Sequence, residues 1–171
     1  MKLLVTFWLG YVMGWGSLGA SPVTSLLEVF HIARSKDAKT IHYQVQLSPD
    51  GSINTAAPII INWEIDTPSG TKTEKLTWIQ NKYAYGIKLL KVTSDSLSFH
   101  FVSYDKKIIW IKRNPKGKFE AQVTCNGTDL ILEKIFIQID GGTFWVPKIS
   151  SVKLEGKDLH SGRSKFEIIQ P

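Results

Sequence analysis

The chain has a single cysteine, Cys125, in 171 residues. No intrachain disulfide can form, so packing and hydrogen bonding alone must hold the protein together. One thiol also excludes the zinc sites built on paired cysteines. Histidine is scarce too. His31, His42, His100 and His160 are the whole set, and no two stand at the i, i+4 spacing by which one helix face offers two imidazoles to a metal. There is no Gly-x-Ser-x-Gly elbow, the sharp turn that exposes a hydrolase serine. No glycine-rich nucleotide loop, internal repeat, low-complexity tract or nucleic-acid motif occurs. Asp50-Gly51 and Asp140-Gly141-Gly142 look like pieces of calcium loops, but the alternating oxygen ligands are missing and both read as turns. No cofactor or metal is implied.

The first twenty residues are a different kind of segment. Lys2 supplies a charge, Leu3 to Met13 is an apolar run, and Gly14 to Ala20 turns small, with Ser21-Pro22 beyond. A charged start, a short apolar core and a small-residue exit form a cleavable export signal. The apolar run is shorter than the roughly 20 residues a spanning helix needs, and no later run is longer. The expectation is a signal peptide over 1–20, a single domain over 21–171, and a periplasmic or secreted location with no transmembrane helix after cleavage. With 21 basic and 15 acidic residues the formal charge is +6, which favours anionic partners such as a cell-envelope component.

Beyond the signal, hydrophobicity runs with period two. Ile41, Tyr43, Val45 and Leu47 alternate with polar residues, as do Ile59, Ile61, Trp63 and Ile65; each set reads as a half-buried strand. Strands follow at Ile87–Val92, Leu97–Phe101, Ile108–Arg113, Phe119–Thr124 and Asp129–Ile139, with more near Ser151–Leu154 and Ser164–Ile169. Asn126-Gly127 is a strong hairpin signal, because a type I′ turn needs two positive φ angles. Phe119, Ala121, Val123 and Cys125 share one face, which points Cys125 inward as a small buried hydrophobe. One helix is predicted over residues 72–84, with Thr71 and Glu74 as a capping box, Leu76, Ile79 and Tyr83 on one face, and Gly86 as a left-handed stop. The expected fold is mainly β, an antiparallel β-sandwich or barrel with a five-strand meander and one short α-helix.

Two surfaces are candidates for binding. Lys112, Arg113, Lys116 and Lys118, with Lys106 and Lys107, form a basic cluster on successive hairpin ends. It would attract an anionic partner, and the same lysines would also guard sheet edges against aggregation. Arg34 leaves an apolar strand over Val29–Ala33, and Tyr85 stands at the predicted helix end beside Gly86. A guanidinium and a phenol converging at one rim would suit a sugar or carboxylate ligand; they would equally serve as a packing pair tying the helix to the sheet. Glu28, Glu64, Glu120, Glu133 and Glu155 lie in or beside strands, and the sequence singles out no catalytic pair among them.

Some segments carry a likeness. Phe30-His31-Ile32-Ala33-Arg34-Ser35, Thr40-Ile41-His42-Tyr43, Leu76-Thr77-Trp78-Ile79, Lys82-Tyr83-Ala84-Tyr85-Gly86 and the ending Val152–Leu159 with Ser161-Gly162 together resemble a bacterial family catalogued as domain of unknown function 4833, over roughly residues 28–169. The resemblance implies a bacterial exported protein and no activity. The family pattern places asparagines after the Arg-Ser pair, where this chain has Lys36-Asp37-Ala38-Lys39. The expected function is a non-enzymatic ligand- or partner-binding module of the cell envelope. The alternative is a cell-envelope hydrolase using a carboxylate pair.

Overall fold

The computed structural model describes residues 25–143 and 146–170, so the predicted signal peptide and Trp145 lie outside the described residues. In chain order the elements are β1 (Ser25–Arg34), β2 (Asp37–Leu47), β3 (Ile59–Thr67), β4 (Gly70–Lys75), α1 (Trp78–Tyr83), β5 (Ile87–Val92), β6 (Ser96–Phe101), β7 (Tyr104–Arg113), β8 (Phe119–Cys125), β9 (Thr128–Gly142), β10 (Pro147–Asp158) and β11 (Ser164–Ile169). The fold is mainly β with one short helix, as the period-two pattern implies.

All eleven strands belong to one curled sheet, and β9 is its spine. Along one edge, β9 pairs with β8 through Thr128–Ile131 and then with β1 through Lys134–Ile137. Its other edge carries β10, which in turn carries β11. Two wings therefore hang end to end from the same side of one strand: β8-β7-β6-β5 and β1-β2-β3-β4. The wings turn their apolar faces toward each other and form a half-barrel. Phe30 stacks on Tyr43 at 4.5 Å between centroids within one wing and meets Phe101 edge-on at 6.2 Å in the other. Phe99, Ile109, Ile111, Leu130 and Leu132 complete a continuous buried core.

Two irregularities keep the core continuous. In β9 the buried residues are Leu130 and Leu132, then Ile135. The change of parity follows a register shift opposite Glu155 and Gly156, the extra residue of a β-bulge re-aiming all that follows. In β1 a second shift, between Glu28 and Phe30, turns Phe30 and Ile32 inward.

The structure corrects three expectations. The sheet is mixed, because β1 runs parallel to β9, so a wholly antiparallel sandwich is excluded. β5 to β9 are successive antiparallel neighbours, as a meander requires, but the meander is only one arm of the larger sheet. Residues 70–75, expected to open the helix, are strand β4 instead. Thr71 and Thr73 are β-branched, and pairing with β3 through the tight turn at Gly70 outweighs the local capping signal. The capping box exists six residues later. Thr77 accepts from the Gln80 amide, and the Gln80 side chain accepts from the Thr77 amide. Tyr83 is exposed rather than packed. Gly86 adopts no left-handed conformation; it is needed because a Cβ there would stand 1.7 Å from the Asn81 carbonyl oxygen.

Candidate functional site

The half-barrel has an open side between β3 and β5. β4 ends at Lys75 opposite Asn62, so among the described residues β3 runs on from Ile61 back to Ile59 with β2 as its one neighbour, and β5 pairs with β6 alone. Between these edges lies a groove of about 560 Å³, lined by Pro58 to Asn62 on one side and Ile87 and Leu89 on the other, with Leu76, Trp78 and Asn81 as its end wall. Trp78 is 68 % exposed. Lys75 lines the groove, and Lys82, Lys88 and Lys91 stand on α1 and β5. None of these four lysines forms an ion pair among the described residues. The sequence could not show this groove, because it consists of what two edges lack.

Behind α1 sits the pair singled out from sequence, and the structure brings its members together. The Arg34 Nη1 donates to the Tyr85 hydroxyl at 2.8 Å. Its Nε and Nη2 donate to the two carboxylate oxygens of Asp37, a bidentate pairing that fixes the plane of the guanidinium. That plane lies over the Trp63 ring, 4.9 Å from its centroid. Trp63 in turn meets Tyr85 edge-on and donates its indole N–H to Gln80 at 2.9 Å. Below, the Tyr43 hydroxyl donates to the Tyr85 carbonyl at 2.6 Å. Burial pushes the Tyr43 phenol far above its ordinary range, and Tyr85 adds to the effect. Burial also works against the Arg34 charge, but the Tyr85 phenol and Asp37 carboxylate outweigh it and the guanidinium is held more firmly protonated than usual. The arrangement ties α1, the end wall of the groove, to the first wing. Two of the five guanidinium N–H groups are not used by Asp37 or Tyr85.

On the outer face of the same wing, His42 stands between two carboxylates. Its Nδ1 is 2.8 Å from Glu28 Oε2, and its Nε2 is 3.0 Å from Glu64 Oε2. Nε2 is buried without a well-aligned hydrogen bond. His31 is the direct cross-strand partner of His42, with 6.0 Å between ring centroids. Among the described residues no group of three or more potential ligands is placed to hold a metal ion. Nor does a carboxylate line the groove.

The basic hairpin is less convergent than its sequence density suggests. Arg113 is engaged with its surroundings: it stacks on Phe119 at 4.5 Å and donates to the Gly51 carbonyl at 2.8 Å. Lys112 lies over Trp110. Lys116 and Lys118 are exposed at the turn. Cys125 is buried, and burial raises its thiol to about 11 against the opposing charge of Lys107. That leaves little thiolate for nucleophilic chemistry.

The sequence profile described as "Domain of unknown function (DUF4833)" matches residues 30–167. The chain belongs to this family. No curated protein and no solved structure gives a match. In this DUF4833 domain the segments carrying the likeness have structural reasons to be what they are. Asp158, nearly buried, organises the turn before β11. Its carboxylate accepts from the His160 and Ser161 amides at 3.0 and 2.9 Å and from Lys165 at 2.7 Å. Lys165 and these amides hold that carboxylate well below its ordinary range. Gly156 lies opposite the β9 bulge, where a Cβ would come within 2.1 Å of the Ile131 carbonyl oxygen. Asp37 is the carboxylate that clamps Arg34.

Proposed function

We propose that this DUF4833 domain is a non-enzymatic binding module, exported to the periplasm or the cell surface, that takes an anionic, partly apolar ligand or partner on the open side of its half-barrel. The observation that carries the reading is the groove between β3 and β5. It combines apolar walls with Lys75 in its lining and with Lys82, Lys88 and Lys91 on the adjoining α1 and β5, none of them ion-paired among the described residues, and its lining lacks the facing carboxylates a glycosidase would use. Export is supported by the pattern of residues 1–20. Arg34 and Tyr85 enter as the joint that sets the position of α1, with the spare guanidinium donors available to a ligand carboxylate or hydroxyl at the rim.

A simple probe is 8-anilinonaphthalene-1-sulfonate, an apolar ring system with one negative charge. Its fluorescence should rise saturably on the native protein. The double substitution Lys75→Gln, Lys88→Gln and the single substitution Leu89→Asp should each weaken the binding about tenfold, which corresponds to ~1.4 kcal/mol. Unchanged binding in both variants would move the binding face elsewhere.

A further inference from the structure

The groove is bounded by two strand edges, and this narrows the kind of partner it fits; the inference rests on the open side being the binding face. The nine-strand path through β9 ends at β4 and at β5, and an edge strand presents a row of N–H and C=O groups with no partner. Five consecutive β3-side residues, Pro58, Ile59, Ile60, Ile61 and Asn62, line the groove. Successive side chains of a strand point to opposite faces. A run of consecutive lining residues is therefore the signature of an edge rather than a face. β5 contributes Ile87 and Leu89, which alternate. The space between thus has main-chain groups along both flanks and apolar side chains at its floor.

The charge pattern selects the occupant. β5 carries Lys88 and Lys91 and a register shift at Leu90, and Pro58 stands at the start of β3. Lysine, proline and bulges are the devices by which natural edges resist pairing with copies of themselves. Two β5 edges laid antiparallel would bring four lysines together, and like charges facing across a strand pair are destabilising. An acidic strand meets the same lysines favourably. At about 3.3 Å per residue, the six residues of β5 match an extended segment of five or six residues.

We infer that the DUF4833 domain binds an extended segment of a partner protein by strand addition between β3 and β5, the segment being apolar at alternate positions and acidic at the others. The occupant completes the edges that β4 leaves open on β3 and that β5 leaves open on its outer side. Its apolar side chains face Ile61, Leu76 and Leu89, and its carboxylates reach Lys75, Lys88 and Lys91.

The test uses a capped hexapeptide of alternating valine and glutamate, with two derivatives N-methylated on one or the other alternate set of amides. Binding to the full native protein is measured by calorimetry, and amide hydrogen exchange is followed at Ile59 to Ile61 and at Ile87 to Lys91. The parent peptide should bind and slow exchange on both edges. Each N-methylated derivative should lose at least tenfold in affinity, because one alternate set of amides faces β3 and the other faces β5. A valine–lysine hexapeptide should bind at least tenfold more weakly than the valine–glutamate one. Retention of the parent affinity by either methylated derivative would overturn insertion between the two edges while leaving an anion-binding groove in place. Failure of the parent peptide where the sulfonate dye still binds would do the same. Failure of both probes would overturn the groove itself. Self-association of the protein through β5, detected by sedimentation and abolished by the peptide, would make a second copy the occupant and also overturn the proposal.

Discussion

The β9–β10 spine and the window between β3 and β5 are opposite solutions to the same problem of backbone polar groups. Along the spine, β9 has neighbours on both sides over most of its length, and the packing is close enough at Gly156 to leave no room for a methyl group. At the window, two strands stop short of each other and their edges face a groove flanked by exposed Trp78 and Leu89. Stability belongs to the first region, and the capacity to recognise something else belongs to the second. An edge that were fully paired would be more stable and could accept nothing.

Mutations can break or sharpen this contrast. The largest effect is expected in the core that both wings share. Phe99→Ala removes a fully buried ring and should cost about 3–5 kcal/mol in urea unfolding. Arg34→Gln comes next, because Arg34 joins the first wing to the wall of the window. Losing hydrogen bonds between charged partners should cost about 1.5–3 kcal/mol, and the exposed Trp78 should report a displaced α1 by its fluorescence. A variant as stable as the parent would mean that the guanidinium is free for a ligand.

A smaller effect is expected from acid at the far end of the spine. The native Asp158 carboxylate titrates below its unfolded value of about 3.9. The unfolded chain therefore takes up the proton first, and the stabilisation is complete above about pH 4 and disappears as pH falls through the native value. Asp158→Asn should flatten this acid limb of the stability profile, read from unfolding midpoints between pH 2 and 6. The smallest effect belongs to the window. Leu89→Ser should change stability by no more than about 0.5 kcal/mol while weakening dye and peptide binding.

The parts of this structure that were legible in the sequence are those settled by near neighbours. Phe119, Ala121, Val123 and Cys125 alternate, and all four are buried. Asn126 and Gly127 both adopt positive φ, 46° and 73°, as the hairpin chemistry requires. Local signals failed where distant pairing outweighed them. Thr71–Glu74 carries a sound helix start, yet β3 captures the segment as a strand. The bulges in β1 and β9 reverse the inward face part-way along, so one alternation could not describe either strand. Of the candidate site, the approach of Arg34 to Tyr85 followed from their positions at element ends. The second partner, Asp37, opens β2 directly opposite Arg34, a placement that exists only once β1 and β2 have paired. The groove left no trace in the pattern, because a missing neighbour has no residue type.

The parallel pairing of His31 with Lys134 joins positions about a hundred residues apart, and this has a consequence for time rather than for energy. Contacts of such long separation form late, since a long loop must close before they contribute. The β5–β9 meander closes only short hairpins and can assemble as soon as it exists. The first wing, synthesised earlier, must wait for the spine to which it attaches. During that wait Phe30, Ile32 and Tyr43 have no wing to face. The order of assembly is therefore expected to run against the order of synthesis, with the N-terminal strands docking last.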